Sequence, residues 1–222
     1  MSNHRVKFTE GDMKKFQAFF NTKEFAEALA IVWGCGSHLI NAFTVRNINR
    51  SIVERFHYLV DQNSHVYCRE QSDGKGGLYS QYICSLHYKH PFVLKIKDMG
   101  WTPIRHQNRV YPEGDFDHEI FISTYVKNHH NIGTSYCRSR GYTRARLRIN
   151  GSLDIITNIN NFLANKLNIG VKNIQTHHNK ERTKYIQYTS KTEIPIILTY
   201  IKAYDSIEKF RAFKLGFKKM SR

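Results

Sequence analysis

The side chains best equipped for chemistry in this chain are arginines. Arg138, Arg140, Arg144, Arg146 and Arg148 crowd one stretch, and no Asp or Glu occurs between Asn131 and Asn150. In extended chain, alternate residues share a face. Arg144, Arg146 and Arg148 are therefore expected on one side of a strand, with Ala145, Leu147 and Ile149 on the other; Arg138 and Arg140 alternate likewise on the strand before it. Such a ribbon suits the major groove of a nucleic-acid duplex, where guanidinium forks reach guanine edges or phosphates. On a merely solvated face, five uncompensated cations would repel one another.

Weaker versions of this pattern occur elsewhere. Thr44 and Arg46 share one face of an expected strand, Arg69 lies on the next, and Tyr79, Gln81, Ser85 and His87 line a polar face of a third. Asn173, Gln175 and His177 alternate in a later segment, as do Arg182 and Lys184. Gln and Asn are adenine readers when they reach base edges. A basic terminal segment with Lys209, Arg211, Lys214, Lys218 and Lys219 is expected to form a helix that could clamp phosphates.

The whole chain shares this bias. Its 34 Lys and Arg against 18 Asp and Glu leave a formal charge of +16, a field that attracts polyanions. Of its 222 residues 41% are hydrophobic, enough for a packed interior. No apolar run is long enough to span a membrane, and the N-terminus lacks the apolar core of a secretory signal; an intracellular protein is expected. The cysteines (Cys35, Cys68, Cys84, Cys137) show no CxxC spacing, which points to free thiols rather than disulfides or zinc. No metal site and no cofactor are expected.

The elements that must carry these side chains recur in the same order. A helix from about Thr22 to Gly34 precedes a strand in HLINAFTVRN, a helix in NRSIVERFHYLVDQ, a hairpin formed by SHVYCREQ and GLYSQYICSLHY, and a short helix ending at Gly100. After a proline-containing linker the order restarts. GDFDHEIFISTYVKNHH reads as a helix, followed by strands on either side of Gly141. SLDIITNINNFLANKLNIG is a helix with Ser152 as N-cap and Gly170 as its stop, then come a hairpin (VKNIQTHH, RTKYIQYTS) and two helices. FTVRNINRSIVERF parallels RLRINGSLDIITNI, and YICSLHYKHPFVLKIKDMGW parallels YIQYTSKTEIPIILTYIKAY. The expected organisation is an N-terminal extension (1–20), a first half (21–103), a linker (104–114) and a second half (115–222) closed by the basic helix.

This duplication resembles the single-chain LAGLIDADG homing endonucleases. ALAIVWGCG (Ala28 to Gly36) lies on the nine motif letters, and ISTYVKNHH (Ile122 to His130) lies on them much more weakly. The resemblance implies an α+β fold of two pseudo-twofold-related αββαββα halves, whose two antiparallel sheets form a DNA-binding saddle. It also implies a pair of motif helices packed on small residues. Ala26, Ala30 and Gly34 are expected on that stripe in the first helix, and Thr124 and Asn128 at equivalent places in the second.

In the family, the eighth motif letter is an Asp or Glu that holds divalent metal, because Mg²⁺ wants hard oxygen ligands. Here those positions are Cys35 and His129. Neither suits magnesium, and the nearest acids, Glu27, Asp117 and Glu119, lie two or more helical turns upstream. The expectation is a retired catalytic centre in which Cys35 fills space; a soft-metal or nucleophilic Cys35/His129 pair would need further ligands or an orienting carboxylate that the sequence does not supply. The chain reads as a monomeric, sequence-specific binder of double-stranded DNA and a possible regulator. The alternatives are an active endonuclease using Mg²⁺, or a maturase that binds structured intron RNA. Its richness in Asn, Lys, Ile and Tyr fits an AT-rich phage or organelle genome.

Overall fold

The computed structural model describes residues 8–39, 42–103, 109–137, 141–177 and 180–217. The chain divides into two compact units, 1–125 and 126–222, and is α+β. Among the described residues, no helix is long and apolar enough to cross a membrane.

The first unit opens with a helix inside the segment expected to be only an extension. α1 (Glu10–Phe19) starts at a reciprocal cap: Thr9 Oγ1 accepts from the Asp12 N–H at 3.1 Å, and Asp12 Oδ2 accepts from the Thr9 N–H at 2.9 Å. It leans Phe16, Phe19 and Phe20 on the core edge, where the Phe19 and Phe92 rings are 6.5 Å apart. α2 (Lys23–Cys35) is capped by Thr22 and buried almost all round, from Phe25 through Trp33 and Cys35. A helix apolar on every side belongs inside a protein, and α2 is the centre of this core.

The expected single strand in HLINAFTVRN is a hairpin, β1 (Gly36–Leu39) and β2 (Ala42–Asn47), with Gly36 opposite Val45. α3 (Arg50–Val60) buries Val53, Phe56 and Val60 at helical spacing behind an Asn49 cap. β3 (Val66–Ser72) and β4 (Leu78–His87) follow. Their tip needs positive φ at Gly74 and Gly76 (75° and 90°), and Asp73 Oδ1 accepts from the Lys75 and Gly77 N–H groups. The antiparallel sheet runs β1-β2-β4-β3. α4 (Pro91–Asp98) begins with proline in its first turn after the buried His90, which caps it.

α5 (His118–His129) spans the division between the units. In the second unit β5 (His130–Cys137) and β6 (Tyr142–Gly151) pair along their whole length. α6 (Leu153–Leu167) is capped by Ser152, as expected, but it stops at Asn168, which takes the left-handed conformation (φ 49°, ψ 48°) before Gly170 is reached. VKNI is not a strand, because the buried Asn160 side chain takes up the Lys172 backbone, donating to its C=O at 2.7 Å and accepting from its N–H at 3.0 Å. Pairing resumes in β7 (Gln175–His177) and β8 (Lys180–Tyr188). α7 (Glu193–Tyr200) and α8 (Tyr204–Arg211) complete the layer, and β9 (Gly216–Phe217) pairs with β6. The second sheet runs β5-β6-β8-β7 with β9 beside β6. The long basic helix is thus replaced by a short one and a returning strand: Lys209 and Arg211 are exposed on α8, Lys214 lies beyond it, and Lys218 and Lys219 fall outside the described residues.

Candidate nucleic-acid interface

Cross-strand partners in an antiparallel ladder point to the same face, so register assigns every side chain. In the first sheet Thr44 pairs with Ser85, Arg46 with Ile83, Ala42 with His87 and Arg69 with Gln81. Gln71 pairs with Tyr79, and Tyr67 with Ile83. All seven expected residues (Thr44, Arg46, Arg69, Tyr79, Gln81, Ser85, His87) therefore share one face. Phe43, Val45, Cys84 and Leu86 occupy the other and are buried. Thr44 is fully buried even so: its Oγ1 accepts from Arg46 Nε at 3.1 Å, while Arg46 Nη2 donates to Ser37 Oγ at 3.0 Å. Thr44 acts as a prop beneath an arginine. Tyr67 and Gln71 were missed by sequence reasoning, although their parity with Arg69 in VYCREQS was the signal.

In the second sheet Arg144, Arg146 and Arg148 lie opposite Ser135, Gly133 and Asn131. Across β6, Arg148 pairs with Gln187 and Asn150 with Tyr185, which in turn pairs with Gln175. This is one polar face, backed by Ala145, Leu147, Ile149, Ile186 and Tyr188 in the core. None of the side chains that the β2–β4, β3–β4 and β5–β6 ladders place on these polar faces is acidic. Arg148 is braced, with Nε donating to Gln187 Oε1 at 2.8 Å and its guanidinium 4.5 Å above the Tyr185 ring.

Lys184 departs from expectation. It pairs with Thr176 and Gly151 and has the parity of Ile186 and Tyr188, so it sits on the core-side face, with Nζ donating to Thr176 Oγ1 at 3.0 Å. Asn173 is exposed in the loop before β7 rather than within the ladder. His177 lies in β7, after an irregularity in register, and Arg182 in β8. Arg138 and Arg140 lie outside the described residues.

Of the helix-stripe residues, Ala26 and Ala30 are fully buried in α2, Gly34 is half-buried, and Thr124 and Asn128 are half-buried on α5. Trp33 meets Phe121 of α5 edge to face, with centroids 6.3 Å apart. Cys35 is the last residue of α2, and His129 the last of α5. The Cys35 thiol is 5% exposed and accepts from Asn47 Nδ2 at 3.1 Å, and burial pushes its pKa up, so it stays a neutral thiol. The following Gly36 is obligatory: a Cβ there would lie 2.6 Å from the Val32 carbonyl and 3.2 Å from the Phe43 and Trp101 rings.

The end of α2 holds a cation of its own. Arg109, from the expected linker, is 6% exposed, donates to the carbonyls of Trp33, Gly36 and Thr102, and stacks over Trp101. Burial lowers its pKa to about 10, which leaves it charged at neutral pH. It caps carbonyls that the helix leaves unpaired. Nothing in the local sequence marks it, since a lone arginine in a linker has no pattern. A magnesium ion does not fit these donors. The thiol is soft and neutral, a guanidinium stands nearby, and Glu27, the nearest acid on α2, is committed to Arg55 through two contacts of 2.8 and 2.7 Å. Among the described residues, no group of three His, Cys, Asp or Glu could hold a metal ion.

No protein-family model matches this chain, and no curated protein sequence does. Solved structures do match it in shape, and the fold is that of the two-domain LAGLIDADG homing endonucleases. The homing endonuclease I-WcaI bound to its DNA recognition sequence aligns with a TM-score of 0.59 at 13% identity, over 97% of this chain and 96% of that one. The meganuclease I-SmaMI bound to uncleavable DNA aligns with a TM-score of 0.56 at 9% identity, over 84% and 90%. Full-length DUF199/WhiA from Thermatoga maritima aligns with a TM-score of 0.52 at 12% identity, over 97% of this chain; the chain spans 65% of that protein.

Proposed function

We propose that this chain is a sequence-specific double-stranded-DNA-binding protein that keeps the LAGLIDADG scaffold and has given up metal-dependent cleavage. The observation that carries the reading is the β5–β6 part of the second sheet's polar face, where Arg144, Arg146 and Arg148 project opposite small or uncharged partners and neither strand contains an acid. The first sheet supports it with Arg46, Arg69, Gln81 and Tyr79 on one face. Long arginines and amides on a rigid ladder supply both phosphate contacts and base-edge readers. Solved structures of similar shape are bound to DNA, which agrees with this use of the fold. Loss of cleavage rests on donor chemistry: Cys35 and His129 stand where the resemblance calls for hard carboxylates.

The test is selection from a random duplex library, followed by incubation of the recovered site with Mg²⁺ or Mn²⁺, and competition with structured intron-like RNA at matched salt. The expected result is a long site that is bound without divalent metal and left intact, with RNA competing poorly. Failure to enrich any duplex, or preference for RNA, would overturn the binding reading. A nicked or linear product would overturn the loss of cleavage alone.

A further inference from the structure

The arginines of β6 are not equivalent. Arg148 is clamped by Gln187 and stacked on Tyr185. Arg144 Nε donates to Ser135 Oγ at 3.3 Å. Between them, Arg146 Nε is buried and, among the described residues, has no hydrogen-bond partner. Its cross-strand neighbour is Gly133, where a Cβ would lie 3.6 Å from Arg146 Nη2. On the β5 side the fork of Arg146 therefore faces backbone at Gly133, with no cross-strand side chain there to tie it down. Burial lowers its pKa, and the neighbouring Arg148 adds repulsion.

An N–H that is desolvated and unpaired is costly in the free protein. The covered Nε holds the guanidinium on a rigid strand while the residue as a whole is only half-buried, so its outer N–H groups are the ones presented to a ligand acceptor. Arg144 and Arg148 each already spend their Nε N–H on a sheet neighbour, and their remaining N–H groups suit phosphate oxygens. The planar acceptor pair that matches a guanidinium fork in a duplex is O6 and N7 of guanine. We propose that Arg146 is the base-discriminating arginine of this sheet, forking onto one guanine, while Arg144 and Arg148 set position along the backbone. This rests on the duplex-binding reading above.

The experiment measures binding of the full chain to the selected duplex and to a panel of its single-base-pair variants, at several salt concentrations. The proteins compared are wild type, Arg146→Lys, Gly133→Val, Arg144→Lys and Arg148→Lys. Lysine keeps the charge and loses the fork, so Arg146→Lys should flatten the preference at one G·C pair by about tenfold or more while leaving the salt dependence unchanged. Gly133→Val retains Arg146 but crowds its fork, and valine suits a strand; it should weaken the preference at the same pair. Arg144→Lys and Arg148→Lys should lower affinity evenly across the panel. An unchanged or evenly lowered profile for Arg146→Lys would overturn the proposal, as would flattening by either flanking lysine variant instead. If the unmodified protein selects no duplex, it is the duplex-binding reading that fails, and that result is seen before any variant is made.

Discussion

His90 shows how much one buried group can govern. Its Nδ1 accepts from the Phe92 N–H at 3.2 Å, which fixes the neutral tautomer with the proton on Nε2. The ring is 3% exposed, with Phe8 and Phe16 edge-on at 5.1 and 4.9 Å. Burial lowers its pKa to about 4; Asp61, 3.8 Å from Nε2, opposes that shift and His87 adds to it. A histidine with a depressed native pKa prefers to charge in the unfolded chain. Its contribution is therefore complete above about pH 6.5 and is lost progressively as pH falls toward 4, up to about 3 kcal/mol. His90→Asn keeps a capping acceptor for Phe92 and cannot titrate. Urea unfolding at pH 7 and pH 4.5 should show a smaller acid loss for His90→Asn than for the wild type. Equal losses would assign the acid sensitivity to other groups.

Among the elements, α6 depends on the residue that ends it. Asn168 holds a left-handed conformation that costs most residues about 1–2 kcal/mol but glycine almost nothing. Asn168→Gly should leave the urea midpoint unchanged or raise it, whereas Asn168→Val should lower stability by about 1–2 kcal/mol. A valine variant as stable as the wild type would mean that the stop is relaxed at little cost. Elements with a strong local signature were legible: α3 through Val53, Phe56 and Val60, the β3–β4 tip through Asp73 and its glycines, and α6 through Ser152. The β1–β2 hairpin was not. HLINAF is mostly apolar, and its Asn41 stands without the Gly, Pro or Asp that would have marked a tight turn more firmly. α1 was overlooked because none of its own residues is fully buried, so its apolar pattern is weak even though Thr9 and Asp12 spell a cap.

For the whole molecule, the charge of +16 and the arginine-bearing sheet faces predict association dominated by phosphate contacts. Counterion release then makes affinity for the selected duplex fall about a thousandfold between 50 and 200 mM salt, if six or more phosphates are engaged. Titrations of labelled duplex across that range, with and without Mg²⁺, measure the slope. A slope near zero would mean that the basic faces do not meet phosphates.

The sequence by itself determined the duplicated order of elements, the overall positive field and the alternation that sends Arg144, Arg146 and Arg148 to one side. Each of these is a local or additive property: periodicity and charge are read without knowing what touches what. The tertiary structure decided the rest. In KYIQY, Tyr185, Ile186 and Tyr188 are all apolar enough to face the core, so only the pairing of Ile186 with Ile149 sends Lys184 away from the arginine face. Thr44 has the parity of an exposed reader, yet packing closes over it and leaves it holding Arg46. Arg109 has no pattern at all, and becomes the cap of α2 because the fold brings its strand of linker to the carbonyls of Trp33 and Gly36. Register, cover and long-range capping depend on contacts between residues far apart in the chain, and local sequence does not encode which of those contacts form.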